Sequence, residues 1–204
     1  NVTAAPGNDV QPSWSPDSRQ IAFLSSRSSG SFGNMRYDLY IMNRDGAQVR
    51  RYTHQSLADT AWQANWSADG RRIIFGSWSW AGGADIFMID VPYGLARNIT
   101  RDSARDGSPV WSPNGQQIAF ESRRTGNWEI YLISADGWKR RQLTDGVVDS
   151  RRPVWSPDGE QLVYTSNPDR NWDLYIADLG ALLTRRITQN RSIDFSPVWR
   201  PGGS

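Results

Sequence analysis

His54 is the only histidine of the chain and therefore the first residue to consider for catalysis. An imidazole acts as a general base when a serine or cysteine nucleophile lies beside it, but no motif for such a nucleophile accompanies His54. The sequence contains no G-x-S-x-G, H-E-x-x-H, G-x-G-x-x-G or phosphate-loop pattern, and it contains no cysteine. We therefore interpret His54 as a surface loop residue. We predict that this chain is not itself an enzyme, while the activity of a longer parent protein stays open.

Aspartates accumulate in the polar segments between the apolar runs, and carboxylates that converge could bind calcium. Ca²⁺ takes about six to eight oxygen ligands, and the candidates here are Asp106, Asp149 and Asp194. The alternative is that each aspartate caps its own loop through an Asx-turn. Asp9, Asp106 and Asp194 occupy the same position of a repeat, which favours the structural role. We expect no cofactor, and calcium is the alternative.

Tryptophan and arginine are frequent anchors of protein interfaces, and several of them depart from the repeated pattern of this chain. Arg151 and Arg152 replace a glycine and a serine of the preceding repeat, and Phe195 replaces the same glycine. The partner-binding candidates selected in this way are Trp62, Trp78, Trp80, Trp128, Trp172, Arg151, Arg152 and Phe195. Trp128 and Trp172 lie at the mouth of the loop between the second and third strands of neighbouring repeats, and packing between neighbouring sheets is the alternative role for them.

These candidates must be positioned by the fold, and one recurring tryptophan context predicts that fold. It reads QPSWSPD, QANWSAD, SPVWSPN, RPVWSPD and SPVWRPG, around Trp14, Trp66, Trp111, Trp155 and Trp199. Successive tryptophans are 52, 45, 44 and 44 residues apart. A period in this range is typical of repeat architectures, so the repeat outranks any local pattern.

The third repeat shows the repeating unit most clearly. It predicts strands at 108–111, 117–122, 128–134 and 140–144, with tight turns at 112–115 and 136–137. The second and third strands carry apolar residues at adjacent positions, which indicates burial on both faces. Four-stranded antiparallel sheets stacked in this way make a β-propeller with about 40–45 residues per blade. We therefore predict an all-β fold with repeats at approximately 9–53, 61–100, 106–144 and 150–188, and partial units at both ends, the second at 194–204.

Both ends of the sequence break a repeat in mid-unit. Asn1–Thr3 matches an outermost strand, and 194–203 matches an innermost strand. An arc of four blades would expose an apolar sheet face at each end, and repeat proteins cap such faces. We expect a single domain over 1–204 that is a segment of a larger propeller of about six blades. Self-association through the exposed faces and closure of both ends into one blade are the alternatives.

The charge pattern bears on the partners. The formal net charge is +2, and arginine pairs precede the same short motif in successive repeats, as in RRYT and RRIT. A repeated charge on an outermost strand prevents edge-to-edge association, so we expect no nucleic-acid partner. No apolar run reaches the about 18 residues that a membrane span needs. Because the N-terminus lacks a basic region followed by an apolar stretch, we expect any export signal to lie outside this sequence.

The repeat resembles the TolB-like class of propeller repeats, relatives of the WD type that lack its His and Trp-Asp signature. The motifs that carry the resemblance are Pro153–Gly159 (PVWSPDG), Asp173–Tyr175 (DLY) and Arg186–Thr188 (RIT), together with their equivalents over nearly the whole chain. The departures are local: ANWSA replaces the P-x-W-S-P pattern at 64–68, Ser18 stands where glycine is usual, and Asp178–Gly180 reads DLG.

The resemblance implies a partner-binding platform, as in the periplasmic protein that docks on a peptidoglycan-associated lipoprotein. Our first hypothesis is therefore a non-catalytic propeller that binds a protein or peptide over its channel face, in the periplasm or another extracytoplasmic space. The second is an accessory propeller of a larger hydrolase, similar to prolyl oligopeptidases, or of a polysaccharide lyase whose catalytic part lies outside this sequence. A third, an enzyme in its own right, would need a metal and bases that this chain hardly supplies. The fold alone does not decide among them.

Overall fold

The computed structural model describes residues 3, 5–28, 36–53, 61–78 and 83–200. The chain divides into two compact units, Asn1–Ser103 and Ala104–Ser204, and each unit holds two four-stranded antiparallel sheets. Within the described ranges, no helix is long and apolar enough to span a bilayer. The single domain over 1–204 stays a prediction, and each unit is described by itself.

In the first unit, the strands follow one another in space in the order in which they occur in the sequence. The first sheet consists of β1 (Asp9–Trp14), β2 (Gln20–Ser25), β3 (Asp38–Asn43) and β4 (Arg50–Arg51). The second sheet consists of β5 (Ala61–Trp66), β6 (Arg72–Trp78), β7 (Ala84–Asp90) and β8 (Leu95–Asn98). This order is the one that consecutive hairpins produce, as the repeat predicts.

The second unit repeats the arrangement. The third sheet consists of β9 (Asp106–Trp111), β10 (Gln117–Ser122), β11 (Glu129–Ser134) and β12 (Arg140–Gln142). The fourth sheet consists of β13 (Ser150–Trp155), β14 (Gln161–Ser166), β15 (Asp173–Asp178) and β16 (Leu183–Arg186). The predicted all-β fold of four-stranded antiparallel sheets is confirmed, and the arginine pairs lie on the fourth strands as expected. The fourth strands end earlier than predicted.

The threonine after each fourth strand explains why that strand stops. Thr53 accepts the backbone N–H of Leu39 at 2.9 Å and donates to the carboxylate of Asp38 at 2.8 Å. The same threonine-to-acid bridge recurs in the other sheets, where it joins Thr100 to Asp85, Thr144 to Glu129 and Thr188 to Asp173. In each case the threonine side chain accepts the backbone N–H that a main-chain carbonyl of the fourth strand would otherwise accept. The backbone therefore leaves the sheet at this threonine. The acids that open the third strands are therefore structural, as their repetition indicates.

Glu129 differs from the aspartates at the equivalent positions. Its side chain is completely buried, and the residue that stands where Arg51 pairs with Asp38 is Gln142, which is uncharged. Burial raises the pKa of the Glu129 carboxyl, while the hydrogen bond from Thr144 acts in the opposite direction. The fold thus disfavours the charged form of this group.

The turn between the first and second strands is built by its serine. Ser156 accepts the N–H of Gln161 at 2.9 Å, and its hydroxyl lies against the carboxylate of Asp158. Gly159 has a φ of +75°, a conformation that glycine adopts without strain. Ser18 takes the same place in the first sheet at a φ of +57°, so the turn survives the departure from glycine at a cost in backbone strain.

The recurring tryptophans occupy equivalent positions, and four of the five end a first strand, as predicted. An indole N–H reaches the main-chain carbonyl of the residue that precedes the previous tryptophan in the repeat. These bonds join Trp66 to Ser13, Trp155 to Val110 and Trp199 to Val154, at 3.1, 3.3 and 3.1 Å. Trp66, Trp155 and Trp199 therefore each link a repeat to the one before it within the same unit. Trp14 is 56% exposed.

The middle strands are buried on both faces, which confirms the prediction made from their apolar runs. In β2, Ala22 and Leu24 belong to a core cluster that includes residues of the second sheet, while Ile21 and Phe23 pack on the opposite face. In the second unit, Trp155 packs with Ala119 and Leu132 of the third sheet. One aromatic pair bridges the second and third strands of each sheet: Phe23–Tyr40, Phe75–Phe87, Phe120–Tyr131 and Tyr164–Tyr175.

The last repeat departs from its prediction. Residues 194–200 form no strand, because none of the described residues pairs with them in a ladder, although Trp199 makes the repeated indole bond. The remainder of the predicted partial unit, 201–204, lies outside the described residues, as do Asn1 and Val2 of the predicted outermost strand.

Candidate binding surface

Trp128 and Arg151 form the first contact of the candidate surface. Trp128 stands just before β11, where its N–H donates to the carboxylate of Asp149 at 2.8 Å and its carbonyl accepts the N–H of Ser150 at 2.6 Å. These bonds fix the start of the fourth sheet beside the indole. The guanidinium carbon of Arg151 lies 4.7 Å from the centre of the Trp128 ring, within the range of a cation–π contact. Asp149, predicted as a loop acid, thus serves to hold Trp128.

Glu121 is the functional residue that the sequence reasoning missed. It lies on β10, is 1% exposed, and receives Nε and Nη2 of Arg151 at 3.1 and 3.0 Å on one carboxylate oxygen. Its other oxygen accepts the backbone N–H of Arg152 at 2.7 Å. The equivalent residue of the first repeat is the apolar Leu24. An acidic residue at this position of a strand predicted to be buried could therefore have identified Glu121 from the sequence. The pair compensates the charge of Arg151 and fixes its direction.

Arg152 lies in a β-bulge directly after Arg151. The register of β13 against β14 shifts between Arg151 and Val154, and Arg152 has a φ of +57°. The residue three before each recurring tryptophan shares this conformation: Gln11, Gln63, Ser108 and Ser196 have φ values of 51°, 52°, 48° and 54°. Bulges redirect side chains that a regular strand would alternate between faces. The positive φ therefore belongs to the repeat, and what distinguishes the fourth sheet is the arginine itself.

Arg152 extends the surface to two aromatic rings. Its guanidinium carbon lies 5.1 Å from the centre of the Phe195 ring, and Nη1 donates to the hydroxyl of Ser196 at 3.0 Å. The Phe195 ring is 5.7 Å from that of Trp172, and the two are tilted by 40°. Phe195 is 47% exposed, although it is a large apolar residue. We call Trp128, Arg151, Arg152, Trp172 and Phe195 the arginine–aromatic surface.

The tryptophan candidates of the first unit form a separate pair. Trp62 and Trp78 lie with ring centres 5.6 Å apart and a tilt of 50°. Trp62 packs over Gly76, where an added Cβ would come within 2.4 Å of the indole nitrogen. Trp62 is half-buried against the core of its unit, whereas Trp78 is 43% exposed. Trp80 lies outside the described residues, as do His54 and most of the insertion at 27–36.

Two aspartates expected to cap their own loops form ion pairs instead. Asp106 receives Nη2 of Arg124 at 3.1 Å, and Asp9 receives Nη2 of Arg27 at 3.0 Å. The prediction failed because the arginine lies 18 residues further along, in the loop after the second strand. Burial opposes the ionisation of Asp9, but hydrogen bonds from Ser25 and other neighbours outweigh it and lower the pKa of that carboxyl.

The calcium candidates are not brought together. Asp106 is committed to Arg124, Asp149 accepts the N–H of Trp128, and Asp194 accepts an amide N–H of Asn190 at 3.1 Å. Within the described ranges, no three acidic, histidine or cysteine side chains are grouped so that they could hold a metal ion.

Comparison with known proteins finds relatives of this chain among TolB proteins. No family model matches the chain. A protein TolB homolog of Chlorobium luteolum is 34% identical over 133 residues, which are 65% of this chain and 28% of that protein. The crystal structure of TolB from Acinetobacter baumannii superposes with a TM-score of 0.71 at 22% identity, over 92% of this chain and 45% of the other. The chain is thus similar in sequence to a TolB homolog and shares the β-propeller fold of TolB.

The TolB-like fold extends beyond proteins named TolB. A puromycin-hydrolyzing peptidase of Mycobacterium tuberculosis superposes with a TM-score of 0.76 at 14% identity, over 93% of this chain and 33% of the peptidase. That likeness shows the propeller fold alone. This chain spans less than a third of the length of the Chlorobium relative.

Proposed function

We propose that this chain is a non-catalytic propeller that binds a protein or peptide segment through the arginine–aromatic surface. The observation that carries the proposal is the exposed Phe195, whose ring contacts both the Trp172 ring and the Arg152 guanidinium. Aromatic and arginine side chains supply the largest share of binding energy at protein interfaces. A ring that is 47% exposed between two such neighbours is available for a partner's apolar side chain.

The support beneath the surface favours binding because it limits the motion that a partner would have to arrest. Arg151 is held by two hydrogen bonds to a buried carboxylate and by the Trp128 ring. The backbone of Arg152 is held by the same carboxylate. A surface fixed before binding loses less conformational entropy when the partner arrives.

The test is a selection of short random peptides, displayed as fusions, on the immobilised 204-residue chain. Selected peptides should bind the Phe195→Ala variant at least about tenfold more weakly, as for an interface anchor. Trp138→Ala is the matched control, because Trp138 is 82% exposed and lies in the turn after β11, at the far end of that strand from Trp128. It should bind within twofold of the unsubstituted chain. Failure to select any peptide, or equal loss in both variants, contradicts the proposal.

An accessory propeller of a larger hydrolase is the second candidate, because the same fold occurs as about a third of the mycobacterial peptidase chain. In that case the same surface would contact a catalytic domain of the same polypeptide. The open reading frame that contains this chain distinguishes the two, because a hydrolase domain with a nucleophile motif beside the repeats supports the second candidate.

We propose a location in the periplasm or another extracytoplasmic space, which the similarity to TolB proteins supports. Fractionation of the source cells, followed by detection with an antibody against this chain, tests the location. Recovery with the cytoplasmic fraction alone contradicts it.

A further inference from the structure

The two adjacent arginines of the arginine–aromatic surface differ in charge environment. Arg151 gives two hydrogen bonds to Glu121, so its charge is neutralised within the fold. Arg152 gives one side-chain hydrogen bond, to the neutral hydroxyl of Ser196, and among the described residues it forms no ion pair with a carboxylate. The two arginines look equivalent in the sequence, but in the structure only the charge of Arg152 is left without a carboxylate partner among the described residues.

The geometry around Arg152 leaves part of its hydrogen-bonding capacity open. One face of the guanidinium lies over the Phe195 ring at 5.1 Å. Stacking uses the face of the group and leaves its five N–H donors in the plane, and the Ser196 bond uses one of them. A planar fork of N–H donors matches the two oxygens of a carboxylate. Arg152 is exposed, so a ligand reaches it from solvent.

The acids close to this surface are already engaged. Glu121 lies beneath Arg151 and accepts the main-chain N–H of Arg152, not its side chain. Asp149 accepts the N–H of Trp128, and Asp194 accepts a side-chain N–H of Asn190. The uncompensated cation and the exposed ring therefore lie side by side, and the partner chemistry that complements both is acidic and apolar.

We propose that the Arg152 guanidinium binds an aspartate or glutamate side chain of the partner peptide, while Phe195 and Trp172 receive an aromatic or aliphatic side chain next to it. This inference rests on the proposed function and names the partner class: an acidic segment with a neighbouring bulky apolar residue. Arg152 acts as the specificity-determining residue, since it selects for the carboxylate. Arg151 supports the surface from below.

The experiment repeats the peptide selection on the chain and on Arg152→Gln, with Arg185→Gln as the matched control. Arg185 is an exposed arginine of β16, so its replacement removes the same charge from an outermost strand. The peptides are fused through their C-termini, so that a side-chain carboxylate is the one under test. One selected peptide is then compared with its version in which the acidic residue is replaced by the matching amide.

Peptides from the unsubstituted chain and from Arg185→Gln should be enriched in aspartate or glutamate beside an apolar residue, and those from Arg152→Gln should not be. The amide version should bind the unsubstituted chain about tenfold more weakly than the acidic peptide does. On Arg152→Gln the two peptides should differ in affinity by less than twofold, because the charged hydrogen bond is already absent there. Arg152→Lys should restore only part of the affinity, because an ammonium lacks the planar fork.

Peptides selected without acidic enrichment, or with an enrichment that persists on Arg152→Gln, overturn this inference and leave the proposed function standing. Recovery of no peptide at all overturns the proposed function and this inference with it.

Discussion

Replacing Arg151 with methionine tests how the surface is supported. Methionine keeps most of the length of the side chain and its packing against Trp128, but it removes both N–H groups that reach Glu121. The Glu121 side chain is 2% exposed, so the substitution leaves a buried carboxylate with the Arg152 N–H as its remaining partner from this surface. Stranding one member of a fully buried pair costs about 3–5 kcal/mol.

The expected cost is lower here, because 40% of the Arg151 side chain is exposed and water already screens part of the pair. We therefore expect the free energy of unfolding to fall by about 2–3 kcal/mol. Adding Glu121→Gln should recover about 1 kcal/mol or more, since glutamine keeps an acceptor for the Arg152 N–H without a buried charge.

Urea unfolding of the four proteins of this cycle, followed by tryptophan fluorescence at neutral pH, measures both quantities. A loss below about 0.5 kcal/mol for Arg151→Met would show that water reaches Glu121, since surface ion pairs contribute that little. A double variant less stable than Arg151→Met would show that the Glu121 charge was not stranded. Either result refutes the argument that Arg151 is a support.

Three further predictions concern the fold. Trp155→Ala should lower the free energy of unfolding by about 3–5 kcal/mol, because the residue is 8% exposed and its indole N–H donates to the carbonyl of Val110. Replacing the exposed Trp138 with alanine should change the free energy of unfolding by less than about 0.5 kcal/mol. Equal effects of the two substitutions in urea unfolding would contradict this prediction. Glu129→Gln should gain stability relative to the unsubstituted chain as pH rises from 4 to 7. Burial raises the pKa of Glu129 in the folded state, so the stabilising contribution of its protonated carboxyl is complete below the unfolded pKa and is lost as pH rises through the folded pKa. A stability difference between the two proteins that stays constant with pH would count against the burial argument. Gly76→Ala should destabilise by about 1–3 kcal/mol and alter the near-ultraviolet circular dichroism of the Trp62–Trp78 pair, because the new methyl group would meet the Trp62 indole; an unchanged spectrum would show that the ring moves aside freely.

The sheets could be predicted from the sequence because their signals are local. The turn S-P-D-G, the apolar run QIAFES and the recurring tryptophan each act within a few residues, and the structure confirms the strands that they predict. The fourth strands were predicted too long, since the threonine that follows them looks like one more β-branched strand residue. Its hydrogen bond to an acid about 15 residues earlier is what ends the strand.

The surface could be predicted only in part, because its chemistry depends on contacts between repeats. Trp128 and Trp172 were selected for their place at the loop before the third strand, and Phe195 as a departure from the pattern. The structure groups all three with Arg151 and Arg152. The division of labour between the arginines was not foreseeable, because it depends on Glu121, which lies 30 residues before Arg151.

One long-range pair did leave a signal in the sequence. Asp106 and Arg124 occur together in the third repeat, as Asp9 and Arg27 do in the first. The second repeat has Ala61 in place of the aspartate and Ser79 in place of the arginine. The fourth repeat has Ser150 and Pro168 at the same two positions. Comparison of the repeats with one another could therefore have predicted these ion pairs.

The most direct test of the account is to locate a selected peptide on the folded chain by nuclear magnetic resonance of the tryptophan indole N–H groups. The chain has 11 tryptophans, each assignable from a phenylalanine variant, so these signals sample much of the surface. Titration with the peptide should shift the signals of Trp128 and Trp172 and leave that of Trp138 unchanged. A titration that shifts Trp138 while Trp128 and Trp172 stay fixed would contradict the claim that the arginine–aromatic surface is the binding site.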